Sequence, residues 1–206
     1  MSAARGVAVL VSGRGSNLQA LLGAQAGGAL GPAAVRVVVS NVPGAAALGH
    51  AEAAGVPAVV LDHRPFGGDR AAFERALCDV LVAHGVQIVA LAGFMRLLGP
   101  TFLSVYADRT LNVHPSLLPA FPGMHAVRQA LDYGARVTGC TLHLVDQGCD
   151  TGPVLLQAAV PILDSDDEAS LGARVRAEEH RLYPQAVRLL AEGRVRRQGR
   201  RLLIEG

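Results

Sequence analysis

Two short segments of this 206-residue chain carry side chains that together could catalyse acyl transfer. Asn112 and His114 lie in the segment 111–119 (LNVHPSLLP), and Asp150 lies in the turn-rich segment 146–153 (DQGCDTGP). An amide can donate to a developing oxyanion, an imidazole can move a proton near neutral pH, and a carboxylate can orient the imidazole. Taken alone, each residue is better explained as a hydrogen-bonded residue of a turn than as a catalytic residue. Together they predict an active site with Asn112, His114 and Asp150 as its catalytic residues.

The spacing of Asn112 and His114 supports this prediction. Residues two apart on an extended segment project to the same side, so both side chains face one site. Pro115 and Pro119 fix the chain direction after them, and an X-Pro bond in so tight a segment is a candidate for the cis form.

Two other histidines, His125 and His143, are weaker candidates, because a lone histidine is more often part of a pocket wall or of the structure. A metal centre built from His114, His143 and Asp150 is the alternative use of these side chains. The neighbouring groups are better suited to donate to a substrate than to add ligands, so no metal is predicted.

A third polar segment, residues 12–17 (SGRGSN), follows the first strand and opens a helix. Small residues let backbone amides approach an anion, and a helix N-terminus favours negative charge, so the segment predicts a monophosphate site. It does not match the dinucleotide pattern G-x-G-x-x-G, because Leu18 occupies the last glycine position. The alternative is a tight strand-to-helix turn capped by Ser16.

The elements that must position these segments follow from hydrophobic periodicity. Continuous apolar strands over residues 6–11, 35–39, 58–61 and 87–92 alternate with helical patterns, which is typical of a parallel sheet covered on both faces. The second half predicts strands over 110–113, 139–145 and 154–162, with helices over 126–133 and 167–192. We therefore expect an α/β fold: a Rossmann-like, mostly parallel twisted sheet with helices on both faces and a mixed sheet in the C-terminal half.

We expect one domain over residues 1–206, with a phosphate-binding half (1–100), a second half (101–192) and a C-terminal tail (193–206). Residues 92–98 (AGFMRLL) end the fourth strand, where ligands gather in open α/β sheets. Phe94, Met95 and Leu97 could line an apolar slot there, or Phe94 could belong to the core.

Composition excludes several classes of protein. The chain contains no lysine, and all 19 basic residues are arginine, which excludes a Schiff-base lysine and a phosphate-loop lysine. The net charge of +2 is spread along the chain, so no nucleic-acid partner is predicted. The three cysteines have no metal spacing, no apolar run reaches transmembrane length, and residues 1–5 lead straight into a strand. We expect a cytoplasmic protein with no membrane partner.

With these segments in order, the chain resembles the phosphoribosylglycinamide formyltransferase family, the folate-dependent formyl-transfer enzymes of purine synthesis. The resemblance runs from Val7 to the end of the last long helix. It is carried by SGRGSNLQA (12–20), AGFMRLL (92–98), LNVHPSLLP (111–119), FPGMHAVRQAL (121–131), DQGCDTGP (146–153) and RAEEHRLYP (176–184).

The resemblance implies a role for each matching residue, with Asn112, His114 and Asp150 again as the catalytic residues. The substrate's phosphate and ribose would be bound by Gly15, Ser16, Asn17, Leu18, Gln19, Arg176, Ala177, Glu178 and Glu179. The co-substrate 10-formyltetrahydrofolate would be bound by Arg70, Met95, Arg96, Leu97, Leu98, Asn112, Asp146, Gln147, Gly148, Cys149 and Asp150. The second half would then be the catalytic and folate-binding half of a single formyltransferase domain.

The function implied is transfer of the formyl group to the amine of 5′-phosphoribosylglycinamide, by a monomer or homodimer whose partners are small molecules only. A formyltetrahydrofolate deformylase is the nearest alternative, although it is expected to carry an added N-terminal domain. A methionyl-tRNA formyltransferase is expected to carry a C-terminal RNA-binding domain. A noncatalytic module that binds a nucleotide or sugar phosphate is the alternative from a different class.

Overall fold

The computed structural model describes residues 4–206, so residues 1–3, part of the predicted lead into the first strand, lie outside it. The described part forms a seven-stranded sheet, a two-stranded hairpin and six α-helices. The strands are β1 (Arg5–Val11), β2 (Ala33–Ser40), β3 (Ala58–Val60), β4 (Val86–Leu91), β5 (Thr110–His114), β6 (Val137–Leu144), β7 (Val154–Pro161), β8 (Val195–Gln198) and β9 (Arg201–Ile204). The helices are α1 (Ser16–Ala26), α2 (Ala46–Ala53), α3 (Arg70–Ala83), α4 (Pro100–Tyr106), α5 (Ala126–Tyr133) and α6 (Glu168–Ala191).

The large sheet has the strand order β3-β2-β1-β4-β5-β6-β7. Strands β1 to β5 are parallel, and β6 and β7 extend the sheet in antiparallel fashion. The chain order reverses beside β1, where β2 lies on one side and β4 on the other. Ligands bind at such a switch point, outside the carboxyl ends of the strands. The predicted α/β fold with a mixed C-terminal half is confirmed.

The continuous apolar strands are explained by burial on both faces of the sheet. In β1, Val7, Val9 and Val11 belong to one core cluster, whereas Ala8 and Leu10 belong to the other. The first cluster is completed by α1, α2 and α6, and the second by α3 and α4.

Two helix starts carry their own capping signals. Asp69 accepts a hydrogen bond from the Ala72 amide and starts α3, and Asp167 forms a reciprocal capping box with Ser170 and starts α6. These carboxylates satisfy first-turn amides that would otherwise have no partner.

The structure adds elements that periodicity did not predict. Helix α4 is only seven residues long, and the tail, to which no structure was assigned, forms the β8–β9 hairpin. The Leu118–Pro119 bond is cis, which confirms the candidate. Within residues 4–206, no helix is long and apolar enough to cross a membrane.

Candidate active site

Asn112 and His114 lie on β5, which pairs in parallel with β4 on one side and antiparallel with β6 on the other. Asn112 pairs with Leu91 of β4 on one side and with His143 of β6 on the other. Residues directly opposite each other in an antiparallel pair share a face of the sheet. The fold therefore places the His143 side chain beside the Asn112 side chain.

Asp150 brings the two predicted side chains of β5 together. Its Oδ1 accepts a long hydrogen bond of 3.4 Å from Asn112 Nδ2, and its Oδ2 lies 3.3 Å from His114 Nδ1. The backbone amide of Gly123 donates to the same Oδ2 at 2.8 Å. Asp150 itself adopts a left-handed conformation with φ 55°, which is uncommon outside glycine. The structure thus joins Asn112, His114 and Asp150 in one cluster, in which His114 is buried and the other two residues are partly buried.

Both ring nitrogens of His114 face acceptors. Nδ1 faces the Asp150 carboxylate, and Nε2 lies 2.8 Å from the backbone carbonyl oxygen of Phe121. Neither a carboxylate nor a carbonyl can donate, so only a ring protonated at both nitrogens satisfies both contacts. The His114 side chain is 6% exposed, which makes an unsatisfied ring nitrogen costly. The geometry therefore favours the imidazolium form of His114.

The surroundings of Asp150 keep its carboxylate ionised. Burial raises the carboxyl pKa, but the hydrogen bond from the Gly123 amide and the positive charge of His114 lower it below its usual value. A carboxylate at neutral pH is the form that can hold a histidine cation in place.

Side chains on β6 and β7 fix the segment that follows His114. Thr141 Oγ1 donates to the Ser116 carbonyl oxygen and accepts from the Leu118 amide, and Gln157 Nε2 donates to Thr141 Oγ1. Beyond this anchor, Phe121 has a left-handed φ of 52° and presents its carbonyl to His114. The segment from Ser116 to Gly123 thus packs against the cluster and contacts both His114 and Asp150.

The predicted phosphate segment forms a cavity of about 240 Å³ at the ends of β1 and β4. The cavity is lined by Ser12, Gly13, Arg14, Gly15, Ser16, Asn17, Ala92, Gly93 and Met95. Within the described part of the chain, no side chain caps α1, so the alternative of a turn capped by Ser16 is not what the structure shows. The first amides of α1 therefore lack a capping side chain beside this cavity, which suits an anion.

Glycine is required at position 15. Gly15 has φ 83°, and a Cβ there would lie 2.7 Å from Ala47 Cβ of α2. Both the left-handed conformation and the close approach to α2 exclude a side chain.

The other predicted substrate-binding residues are only partly brought together. Asn17 Nδ2 donates to Glu179 Oε2 at 2.8 Å, which joins α1 to α6 at the cavity. Burial raises the pKa of the Glu179 carboxyl, although the Asn17 bond and the charge of Arg176 oppose the rise. Glu178 instead pairs with Arg181.

Four more of the predicted substrate-binding residues do not line the cavity. The Leu18 side chain is buried in the core, so only its backbone is available to a ligand. Gln19 lies at the surface, 3.4 Å from His50 Nδ1, and Arg176 and Ala177 are exposed.

The predicted folate residues after β4 divide into two groups. Met95 and Leu97 are exposed, at 63% and 60%, and are free to contact a ligand. Phe94 and Leu98 belong to the second core cluster, so Phe94 does not line a slot. Arg96 lies over the Phe73 ring, 5.8 Å from its centroid.

Arg70 also faces the loop after β4. Its Nε lies 3.4 Å from the buried Glu74 carboxylate, which accepts hydrogen bonds from the Gly99 and Phe102 amides. Arg70 and Glu74 together hold the start of α4, so Arg70 has a structural contact that the sequence did not indicate.

The loop that carries Asp150 also lines a second cavity, of about 340 Å³. This cavity is lined by Pro100, Leu103, Ser104, Ala107, Asp108, Val145, Asp146, Gln147 and Arg197. Asp146 shapes the loop, because its Oδ1 accepts from the Gly148 amide and the Thr151 hydroxyl. Gly148 and Cys149 are exposed between Asp146 and Asp150.

His143 is the site residue whose importance the sequence understates. Its Nε2 lies 3.1 Å from Asn112 Nδ2, and its side chain is 3% exposed. Pairing β5 with β6 in register would have placed it beside Asn112, but that register was not predicted. Among residues 4–206, no group of three or more His, Cys, Asp or Glu side chains is arranged to hold a metal ion.

Comparison with known proteins identifies the family to which the chain belongs. The formyl transferase family matches residues 5–187 of the chain. The trifunctional purine biosynthetic protein adenosine-3 of Drosophila melanogaster is 47% identical over 188 residues, or 91% of this chain. The chain spans 14% of the length of that relative.

Two bacterial proteins match over nearly their whole length. The phosphoribosylglycinamide formyltransferase of Mycobacterium tuberculosis is 45% identical over 212 residues, which cover 98% of this chain and 95% of that protein. The crystal structure of glycinamide ribonucleotide transformylase 1 from Symbiobacterium toebii is 48% identical, with a TM-score of 0.97 over 100% of this chain and 96% of that one. This chain therefore belongs to the formyl transferase family.

Proposed function

We propose that the chain transfers the formyl group of 10-formyltetrahydrofolate to the amine of 5′-phosphoribosylglycinamide, a step of purine biosynthesis. The observation that carries the proposal is the Asp150 carboxylate shared by Asn112 and His114. The relatives that match along the whole chain support the choice of substrates by their names.

The two cavities offer a place for each substrate. The phosphate would lie in the cavity at Gly15 to Asn17, where α1 supplies amides and Arg14 supplies a positive charge. Glu179, held by Asn17, is suited to accept hydrogen bonds from ribose hydroxyls. The flat folate ring system would use the second cavity beside Asp146 and Gln147.

The reaction is direct transfer between the two substrates. The glycinamide amine attacks the formyl carbon, a C–N bond forms, and the carbonyl electron pair moves to oxygen. When the carbonyl re-forms, the bond to the folate nitrogen breaks, and a proton from the amine reaches that nitrogen. This route needs no nucleophile from the protein and no covalent enzyme intermediate.

His114 and Asn112 would stabilise the oxyanion by donating hydrogen bonds. The His114 proton on Nε2 is held by the Phe121 carbonyl, and the Asn112 proton near Asp150 is held only by a long bond. The formyl oxygen would replace both acceptors, which requires the Phe121 carbonyl to move away. Asp150 would keep His114 aligned and charged throughout.

The decisive experiment is a test of acceptor dependence. Purified protein is mixed with 10-formyltetrahydrofolate with and without 5′-phosphoribosylglycinamide, and the release of tetrahydrofolate is followed by absorbance. We expect turnover only when the acceptor is present. Equal release without the acceptor would indicate the deformylase, and no release in either case would indicate a binding module.

A further inference from the structure

We propose that His143 is a positioning residue that holds the Asn112 amide with its nitrogen toward the formyl group. The proposal rests on the proposed function. It starts from the cross-strand pairing that sets His143 opposite Asn112. In the reaction Asn112 is useful in one orientation only, because its amide nitrogen donates to the oxyanion and its oxygen would repel it.

The proton on His143 is located by its neighbours. His143 Nδ1 lies 3.0 Å from the Leu144 carbonyl oxygen, which can only accept, so Nδ1 carries a proton. In the neutral ring the other nitrogen, Nε2, is then an acceptor. Asn112 Nδ2 at 3.1 Å is its donor. The amide nitrogen of Asn112 is thereby drawn to the side of His143.

Asp150 does not need His143 as a donor. Its Oδ2 already receives the Gly123 amide and faces His114, and its Oδ1 receives Asn112. His143 Nε2 lies 3.6 Å from Oδ1, longer than a hydrogen bond and longer than its distance to Asn112. Neutral His143 and ionised Asp150 therefore act as two acceptors that both require nitrogen, not oxygen, on this side of Asn112.

The two protons of the Asn112 amide nitrogen therefore have different partners. One is fixed by His143 at 3.1 Å, while the other faces Asp150 at 3.4 Å. The second, weaker bond is the one that the oxyanion replaces. Without an acceptor at His143 Nε2, the amide loses the contact that fixes its orientation before the substrate arrives.

Two matched substitutions separate this role from a general effect on packing. The amide of Gln reaches the position of Nε2 and can offer its oxygen to Asn112, whereas the amide of Asn reaches only the position of Nδ1. We expect His143→Asn to lower kcat by about 10- to 100-fold with KM of both substrates changed less than about two-fold. His143→Gln should restore most of that loss. Equal kcat for the two variants would overturn the proposal.

A double-mutant cycle tests whether His143 acts through Asn112. In an Asn112→Ala background, His143→Asn should cause no further loss of kcat, because the amide it positions is gone. Independent, multiplicative losses would contradict the proposal. The proposed function fails separately, if the wild-type protein shows no acceptor-dependent turnover.

The proton position on His143 can also be measured in the wild-type protein, so this test does not depend on whether a variant folds. Nitrogen-15 NMR of the histidine rings distinguishes a protonated from an unprotonated ring nitrogen. We expect His143 to carry its proton on Nδ1 and a bare lone pair on Nε2 at neutral pH. A proton found on Nε2 would overturn the proposal, because that nitrogen could not then accept from Asn112.

Discussion

At the level of single residues, the site is organised by one carboxylate with two different oxygens. Asp150 Oδ2 receives the Gly123 amide and faces His114, while Oδ1 receives only the long bond from Asn112. The first oxygen is firmly occupied, and it holds the histidine cation. The second oxygen has a bond that a substrate can displace at little cost. One carboxylate therefore both fixes His114 and leaves Asn112 available.

The charge of Asp150 is the property that the proposed mechanism needs. Its lowered pKa keeps it ionised at neutral pH, so Asp150→Asn removes the charge and little volume. We expect kcat to fall by at least about 100-fold with KM for the folate changed less than about three-fold, because only the transition state uses the aligned cation. Steady-state kinetics with both substrates measure this. As a control, Asp164→Asn, at a carboxylate 88% exposed, should leave kcat unchanged.

A near-normal kcat for Asp150→Asn would remove the carboxylate from the mechanism. A large rise in KM for the folate at unchanged kcat would make Asp150 a binding residue instead.

The sequence shows which residue types are present but not which acceptors they meet. The pairing of Asn112 and His114 on one face followed from their spacing, and the structure shows both at Asp150. The contacts of His114 with Phe121 and of His143 with Asn112 depend on loop shape and strand register. Neither is encoded in local periodicity.

At the level of elements, the cavity at Ser12 to Asn17 depends on the close packing of α1 and α2. Gly15 starts α1 in a left-handed conformation, and α2 packs against it at Ala47. The Ala47 amide also donates to the Gly13 carbonyl oxygen. A short helix rich in alanine is what allows this approach, so α2 shapes the cavity without lining it.

Gly15→Ala tests this packing. The new methyl group would lie 2.7 Å from Ala47 Cβ at a position with φ 83°, so we expect the free energy of unfolding to fall by about 1–3 kcal/mol. KM for the ribonucleotide should rise, since the loop must shift. Urea unfolding and steady-state kinetics give the two values.

The matched control for Gly15→Ala lies in the same helix. Gly23 is inside α1, and among residues 4–206 nothing lies within 4 Å of a Cβ placed there. Gly23→Ala should therefore stabilise the protein by about 0.5–1 kcal/mol, because alanine is the better helix former. Stabilisation by Gly15→Ala as well would show that the cavity does not depend on close packing.

Periodicity predicted the strands of the large sheet and the long helices, but it missed helix α4 and the C-terminal hairpin. The predicted helix over 167–192 is α6, and the predicted helix over 126–133 is α5. Helix α4 is too short for a periodic pattern and is held by a tertiary contact, the Glu74 carboxylate at its first amides. The β8–β9 hairpin is mostly polar and also makes tertiary contacts, between Arg197 and Asp108 and between Arg200 and the Thr151 carbonyl.

At the level of the whole molecule, one continuous sheet brings distant parts of the chain to a common edge. The cavity at Ser12 to Asn17 follows β1, the exposed Met95 follows β4, and His114 ends β5. The strands before and after residues 100 and 101, β4 and β5, are neighbours in this one sheet. The division of the chain into two functional halves at that point stays a prediction. Helix α6 crosses the sheet and makes contacts at two places. Glu179 bonds to Asn17 beside the cavity that follows β1, and Tyr183 bonds to Leu91 at the centre of the sheet.

Tyr183 ties α6 to the two central strands that carry the site. Its buried hydroxyl donates to the Leu91 carbonyl oxygen at 2.8 Å and lies 3.2 Å from the Leu111 carbonyl oxygen. Tyr183→Phe keeps the ring and removes this donor, so we expect the free energy of unfolding to fall by about 1–2 kcal/mol in a single urea transition. Tyr133→Phe, at a residue 81% exposed, should change it by less than about 0.5 kcal/mol. If the two variants were equally stable, this hydroxyl would not contribute to holding α6 on the sheet.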